Sequence, residues 1–238
     1  MMIKFCTTGD FMSPILNLGK LLNTDEIEDT KTFVKANKNL WVHESLYLPS
    51  AKNTPRYIFG SPLMYSENGN TEYLSLYRTV RTTCEPILKD ITLLNRVLSL
   101  LEDYYKLPTQ HIRDTSLPGF QIYSSYENKS KRFLPGYHHV DSTIVDNWEA
   151  LNFDPLLKFS LDTIYALIVT IEFPTIGDTL QYIVDGTEYS YKYEIGHAYT
   201  WKSNMLHRTG PVVLNEDECR IIYICFYSIQ PDKILYYY

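Results

Sequence analysis

Apolar positions between residues 72 and 106 recur at steps of three and four: Leu74, Leu76, Tyr77, Val80, then Ile87, Ile91, Leu94, Val97, Leu98, Leu101 and Tyr105. That period places them on one face of a helix. Pro86, which lacks the N–H that an interior turn needs, is predicted to divide the stretch into two helices. Upstream, residues 24–37 form a weaker helical candidate with Asp25, Glu26 and Glu28 in the first turn, where carboxylates offset the helix dipole. Residues 40–48 read as a strand.

From Phe120 onward the period shortens to that of strands separated by turn residues, as an all-β barrel or sandwich requires. Residues 166–173 read as a buried strand closed by Pro174 and the Gly177-Asp178 turn. Residues 180–184 and 187–193 flank Asp185-Gly186, two residues that tolerate positive φ, and so predict a hairpin. In its second arm Tyr189, Tyr191 and Tyr193 alternate with Ser190, Lys192 and Glu194, which makes one face aromatic and the other wet. Residues 197–201 and 220–227 complete the set of clear strands.

Composition changes this picture little. At 238 residues the length fits one large domain as well as two small ones, and without a repeat or a Pro/Gly/Ser linker one domain is expected. It would comprise a helical support region with one or two strands over residues 1–115 and a β core over 116–238. A net charge of −6 gives no field that would gather polyanions, which argues against nucleic acid and anionic membranes as partners. No apolar run is long enough to span a bilayer and the N-terminus lacks a signal-peptide core, so a soluble, cytoplasmic protein is expected. Cys6, Cys84, Cys219 and Cys225 form no CxxC pair and read as free thiols.

The chemistry concentrates on His139, Asp141 and His207. Two imidazoles and one carboxylate are the facial ligand set of non-haem Fe(II) oxygenases, which leaves the opposite coordination positions open. Residues two apart on a strand point the same way, so His139 and Asp141 can converge while His207 arrives from a distant strand. With 6 histidines in the chain an HxD triplet alone is weak, and its surroundings decide. Those surroundings are the segment Phe120-Gln121-Ile122-Tyr123-Ser124-Ser125-Tyr126, then Gly136-Tyr137-His138-His139-Val140-Asp141-Ser142, then Met205-Leu206-His207-Arg208-Thr209-Gly210-Pro211, then Arg220-Ile221-Ile222-Tyr223. Through them, most of residues 70–230 resembles the 2-oxoglutarate-dependent oxygenase superfamily.

The resemblance implies an α+β fold with a double-stranded β-helix (a jelly roll, cupin-like) flanked by N-terminal helices. It implies Fe(II) on His139, Asp141 and His207, 2-oxoglutarate as cosubstrate and O2 as oxidant. Arg220 would grip the remote carboxylate of 2-oxoglutarate, with Tyr126 or Tyr123 donating to the same group. Independently, Arg220 shares a strand face with Ile222, Ile224 and Phe226, so a buried guanidinium there needs an acceptor. Glu216, Asp217 or solvent would serve as well as a dicarboxylate. His138 should point away from the metal by alternation, toward structure or substrate, and Trp148, Tyr199 and Trp201 are pocket candidates for which core packing competes. His43, His111 and His197 lack ligand spacing and are expected to be hydrogen-bonded or at the surface.

The expected reaction is hydroxylation of an unactivated C–H bond in an amino acid, a peptidyl residue or another small molecule. Asp141 is present where halogenating members of the superfamily carry a small residue. Phe226 stands where nucleic-acid demethylating members carry a second Arg, and Arg220 where collagen-type prolyl hydroxylases usually carry Lys. A non-catalytic β-helix protein, and a cupin-like enzyme that does not use 2-oxoglutarate, remain alternatives. The 142–163 loop, with Asp146, Asn147 and Trp148, could sit at the mouth of the site, but neither substrate identity nor oligomeric state is written in a pattern.

Overall fold

The computed structural model describes residues 13–46, 54–61, 71–112, 115–125, 132–133, 138–141 and 162–238. In chain order these form β1 (Leu16–Lys20), α1 (Thr24–Ala36), β2 (Val42–His43), β3 (Arg56–Phe59), α2 (Thr71–Leu88), α3 (Thr92–Tyr105), β4 (Thr109–His111), β5 (Gly119–Ser124) and β6 (Arg132–Phe133). Then follow β7 (Ile164–Glu172), β8 (Thr179–Val184), β9 (Thr187–Lys192), β10 (His197–Lys202), β11 (His207–Thr209), β12 (Val212–Val213), β13 (Cys219–Ile229) and β14 (Ile234–Tyr237). The fold is mostly β with few helices.

Local chemistry explains the elements. Asn23 caps α1 by accepting from the Glu26 N–H at 3.0 Å while Glu26 accepts from the Asn23 N–H at 2.9 Å, a reciprocal capping box. The β8–β9 hairpin turns on Asp185 (φ 49°) and Gly186 (φ 76°), both left-handed as the sequence predicts. The 72–106 stretch does divide into two helices, α2 and α3, but Pro86 lies inside the last turn of α2 and the break falls after it. A proline so near a helix end forfeits one backbone hydrogen bond without preventing the closing turn, in which Lys89 N–H still reaches the Glu85 carbonyl at 3.0 Å.

The strand expected over residues 40–48 shrinks to β2, flanked by 3-10 turns at Lys38–Leu40 and Glu44–Leu46; residues 47 and 48 lie outside the described residues. Side-chain partners override the strand pattern here. The Trp41 indole donates to the Val34 carbonyl at 3.1 Å, and Glu44 is buried in an ion pair with Arg56. Among the described residues the region before residue 115 also supplies four strands, β1 to β4, where the sequence signals one or two.

The larger sheet runs β1-β10-β7-β13-β5-β3-β2, with β14 against the second half of β13 and β4 beside β14. The smaller sheet runs β11-β8-β9; β6 and β12 form a separate short pair, which an isolated bridge, Ile176↔Val213, links to the chain before β8. Alternation along β7 and β13 divides the core in two. Leu167, Val169, Ile171, Ile221, Tyr223, Cys225 and Tyr227 pack with Ile27, Val34, Val80, Leu88, Val97 and Leu101 of the helices. Ala166, Ile168, Ile222, Ile224 and Phe226 pack instead with Leu180, Tyr182 and Tyr193 of the β8–β9 arm. The larger sheet is thus covered by helices on one face and by the smaller sheet on the other, and the intersheet space receives every second residue of β13. Cys84, Cys219 and Cys225 are buried free thiols, as expected; Cys6 lies outside the described residues. Among the described residues no helix is long and apolar enough to cross a membrane.

Candidate metal centre

Residues 138–141 lie along the edge of β11. The His139 N–H donates to the His207 carbonyl and the His207 N–H to the His139 carbonyl, each at 2.9 Å, and the Asp141 N–H donates to the Ser203 carbonyl at 2.8 Å. This ladder turns His139 and Asp141 to one side and brings His207 across from them. One donor atom from each of the three residues lies within 4.8 Å of the others. His139 Nε2 is 3.9 Å from Asp141 Oδ1, and His207 Nε2 is 3.6 Å from Asp141 Oδ2. These separations are too long for hydrogen bonds among the three and short enough for one shared ion.

The donors are prepared for a cation. Asp141 is buried, and its Oδ2 has no hydrogen-bond partner among the described residues. Burial raises its carboxyl above the ordinary carboxylate range, with His139 and the Trp201 indole acting against the rise. Such an oxygen is costly to bury without a partner. His207 Nδ1 lies 2.8 Å from the Met205 carbonyl, which can only accept; the Nδ1 therefore carries the proton and Nε2 presents its lone pair. Burial pushes the His207 imidazole down to about 4, so near neutral pH it is in the uncharged, ligating form. The Trp201 ring stands edge-on to His207 with centroids 5.4 Å apart and closes that side of the group. Two nitrogens and one carboxylate suit a divalent first-row ion.

A second polar group is connected to β11 through Tyr123 and Thr209. Arg220 on β13 is 1% exposed; its Nε–H donates to the Gly177 carbonyl at 2.8 Å, and Nη1 has no partner among the described residues. The guanidinium lies 5.5 Å from the Tyr123 ring and 5.6 Å from the Phe173 ring. Among the described residues no carboxylate is hydrogen-bonded to it, so Glu216 and Asp217 do not serve as its acceptor. Burial lowers the Arg220 pKa, and the Tyr123 and Tyr193 phenols oppose that shift. At Tyr123, burial pushes the phenol up, but Arg56, Arg220 and a hydrogen bond with Thr209 outweigh it and bring the group below its ordinary value. Thr209 is two residues beyond His207 on β11, so Tyr123 links the guanidinium to the strand of the triad.

Tyr193 is the residue that sequence reasoning passed over. Its hydroxyl is buried without a partner among the described residues, its ring stacks on Phe173 at 6.2 Å, and its N–H is held by the Asp178 carbonyl at 2.8 Å, next to the Gly177 carbonyl that binds Arg220. The signal was present in the aromatic alternation of Tyr189, Tyr191 and Tyr193, but alternation alone does not say that the face turns toward Arg220.

Of the other candidates, Trp201 stands at the triad, whereas Tyr199 belongs to the core: its hydroxyl accepts from the Glu194 N–H at 2.8 Å and its ring packs on Tyr193 at 4.7 Å. His138 points away from the triad to Glu188, 3.0 Å distant. Tyr126 and Trp148, with Asp146 and Asn147, lie outside the described residues. His43 and His111 are held by hydrogen bonds, to Ser45 Oγ and the Thr54 carbonyl and to the Ser116 carbonyl and Thr115 Oγ1; His197 lies 3.4 Å from Asn17 Oδ1.

No protein-family model and no curated protein matches the sequence. Solved structures do align with it. The non-heme alpha-ketoglutarate-dependent epimerase SnoN from nogalamycin biosynthesis shares 13% identity over 91% of this chain and 80% of its own, with a TM-score of 0.47. A prolyl hydroxylase from Trichoplax adhaerens, solved with a hypoxia-inducible-factor peptide fragment, shares 10% over 91% and 83%, with a TM-score of 0.46. An N-substituted L-amino acid dioxygenase from Burkholderia ambifaria, solved with alpha-ketoglutarate, shares 12% over 74% of each chain, with a TM-score of 0.46. At these identities and scores the likeness carries no argument about chemistry, which rests on the residues of this chain.

Proposed function

We propose that this chain is an Fe(II)- and 2-oxoglutarate-dependent dioxygenase, a single domain built on a double-stranded β-helix, that hydroxylates a C–H bond of an amino acid, a peptidyl residue or another small molecule. The observation that carries the proposal is the combination of two incomplete polar groups. One is the His139, Asp141 and His207 cluster with a buried, unpartnered carboxylate oxygen; the other is a buried guanidinium with an unpartnered N–H. A divalent cation completes the first and a carboxylate completes the second. A small molecule with a chelating end and a carboxylate at the far end completes both, and 2-oxoglutarate has that form.

Within this reading, Fe(II) with 2-oxoglutarate supplies the activation of O2, coupled to decarboxylation of the cosubstrate to succinate and CO2. The protein orients and excludes. His139, Asp141 and His207 hold one face of the ion. Arg220 would fix the remote carboxylate through charge-assisted hydrogen bonds, and the Tyr123 and Tyr193 phenols would donate to the same group. Trp201 shields the His207 side from water.

The relation between the two groups can be tested by calorimetric titration of Mn(II)-loaded protein. 2-Oxoglutarate is expected to bind more than tenfold tighter than glutarate, which keeps both carboxylates but lacks the keto oxygen, a difference of at least about 1.4 kcal/mol. Equal affinities would mean that the ligand does not reach the ion, and would contradict the assignment.

A further inference from the structure

On the outer face of the smaller sheet, directly behind the metal ligands, Glu188 of β9 is shared between two cationic or polar side chains. Its Oε1 accepts from Arg208 Nη2 at 2.8 Å and lies at ion-pair distance, 3.0 Å, from His138 Nε2 without hydrogen-bond geometry. Arg208 is braced a second time, its Nε–H donating to Gln181 Oε1 on β8 at 2.9 Å. His138 and Arg208 are each the immediate neighbour of a triad residue, preceding His139 and following His207. By strand alternation, whatever fixes His138 and Arg208 on the outside fixes His139 and His207 on the inside.

Among the described residues the backbone of the segment that carries His139 and Asp141 is held by the reciprocal pair between His139 and His207 and by the Asp141 contact to Ser203. A small rotation of this segment would displace the imidazole of His139, which is half exposed and whose ring lies 4.6 Å from that of His207. Glu188 thus reaches from β9 across β8 to Arg208 on β11 and to His138 beyond it, on the side away from the triad.

We infer that Glu188 is a positioning residue for the metal centre, which sets the separation of His139 and His207 through His138 and Arg208 without touching the ion. The inference rests on the metal site proposed above. An exposed ion pair adds little to stability, so the effect belongs to the geometry of the ligands and not to the fold.

Co(II) titration followed by visible absorption reads both affinity and ligand geometry. Glu188→Ala is expected to weaken Co(II) binding about tenfold and to alter the absorption envelope, with a thermal midpoint close to wild type. Glu188→Gln, whose amide oxygen can still accept from Arg208, is expected to recover most of the affinity. Co(II) affinity and spectrum unchanged in Glu188→Ala would overturn the inference alone. So would a loss of affinity that merely follows a loss of folded protein and is not rescued by Glu188→Gln. Failure of the wild-type protein to bind Co(II) would overturn the metal site itself, and this inference with it.

Discussion

His207→Ala and His139→Ala are both expected to weaken Fe(II) or Co(II) binding by at least about a hundredfold, beyond the 10–100-fold typical of losing a supporting hydrogen bond. They should differ in stability. His207 is 5% exposed, packs against Trp201 and satisfies the Met205 carbonyl. Its removal leaves a cavity and an unpaired acceptor, at a cost of about 1–3 kcal/mol. The His139 side chain is 47% exposed, so truncating it should shift unfolding by less than about 0.5 kcal/mol. Urea unfolding of the metal-free variants, set beside metal titration, separates ligation from packing. Metal binding retained in His139→Ala would remove that residue from the site.

Arg220→Met is expected to leave metal affinity intact while weakening 2-oxoglutarate binding more than a hundredfold. Two charge-assisted hydrogen bonds at about 1.5–3 kcal/mol each amount to roughly 3 kcal/mol or more. Stability should hold or rise. The guanidinium is buried with one hydrogen bond to protein and no hydrogen-bonded carboxylate among the described residues, so replacing it by an apolar side chain of similar length relieves a desolvation cost. A structural arginine would behave in the opposite way: 2-oxoglutarate affinity unchanged and the midpoint of unfolding lowered.

The parts of the fold that are legible in the sequence depend on neighbours along the chain. The Asp185-Gly186 hairpin, the α1 boundaries and the strand around Ile168 follow from turn chemistry, capping and local hydrophobicity. β14 has only four residues and depends on pairing with β13 and, in parallel, with β4, a relation between distant segments that no local pattern encodes. Pro86 misleads because its effect depends on how many helical turns follow it. At the site, the i, i+2 spacing of His139 and Asp141 suffices to place both on one side of a strand, and the face shared by Arg220, Ile222 and Ile224 suffices to suggest burial. The position of Tyr193 beside Arg220 requires the approach of the smaller sheet to the larger one, and Tyr199 is removed from the pocket by a hydrogen bond to Glu194, a contact that composition cannot foresee.

One ion and one 2-oxoglutarate are proposed to bind together at His139, Asp141, His207 and Arg220. Anaerobic titration of the Fe(II) protein with 2-oxoglutarate tests it most directly, by the weak visible charge-transfer band that arises when the keto acid chelates iron. The band is expected to appear with wild type, to be lost in His139→Ala, and in Arg220→Met to require far higher 2-oxoglutarate. Iron binding with no band at saturating 2-oxoglutarate would contradict joint binding and leave a metalloprotein of another kind.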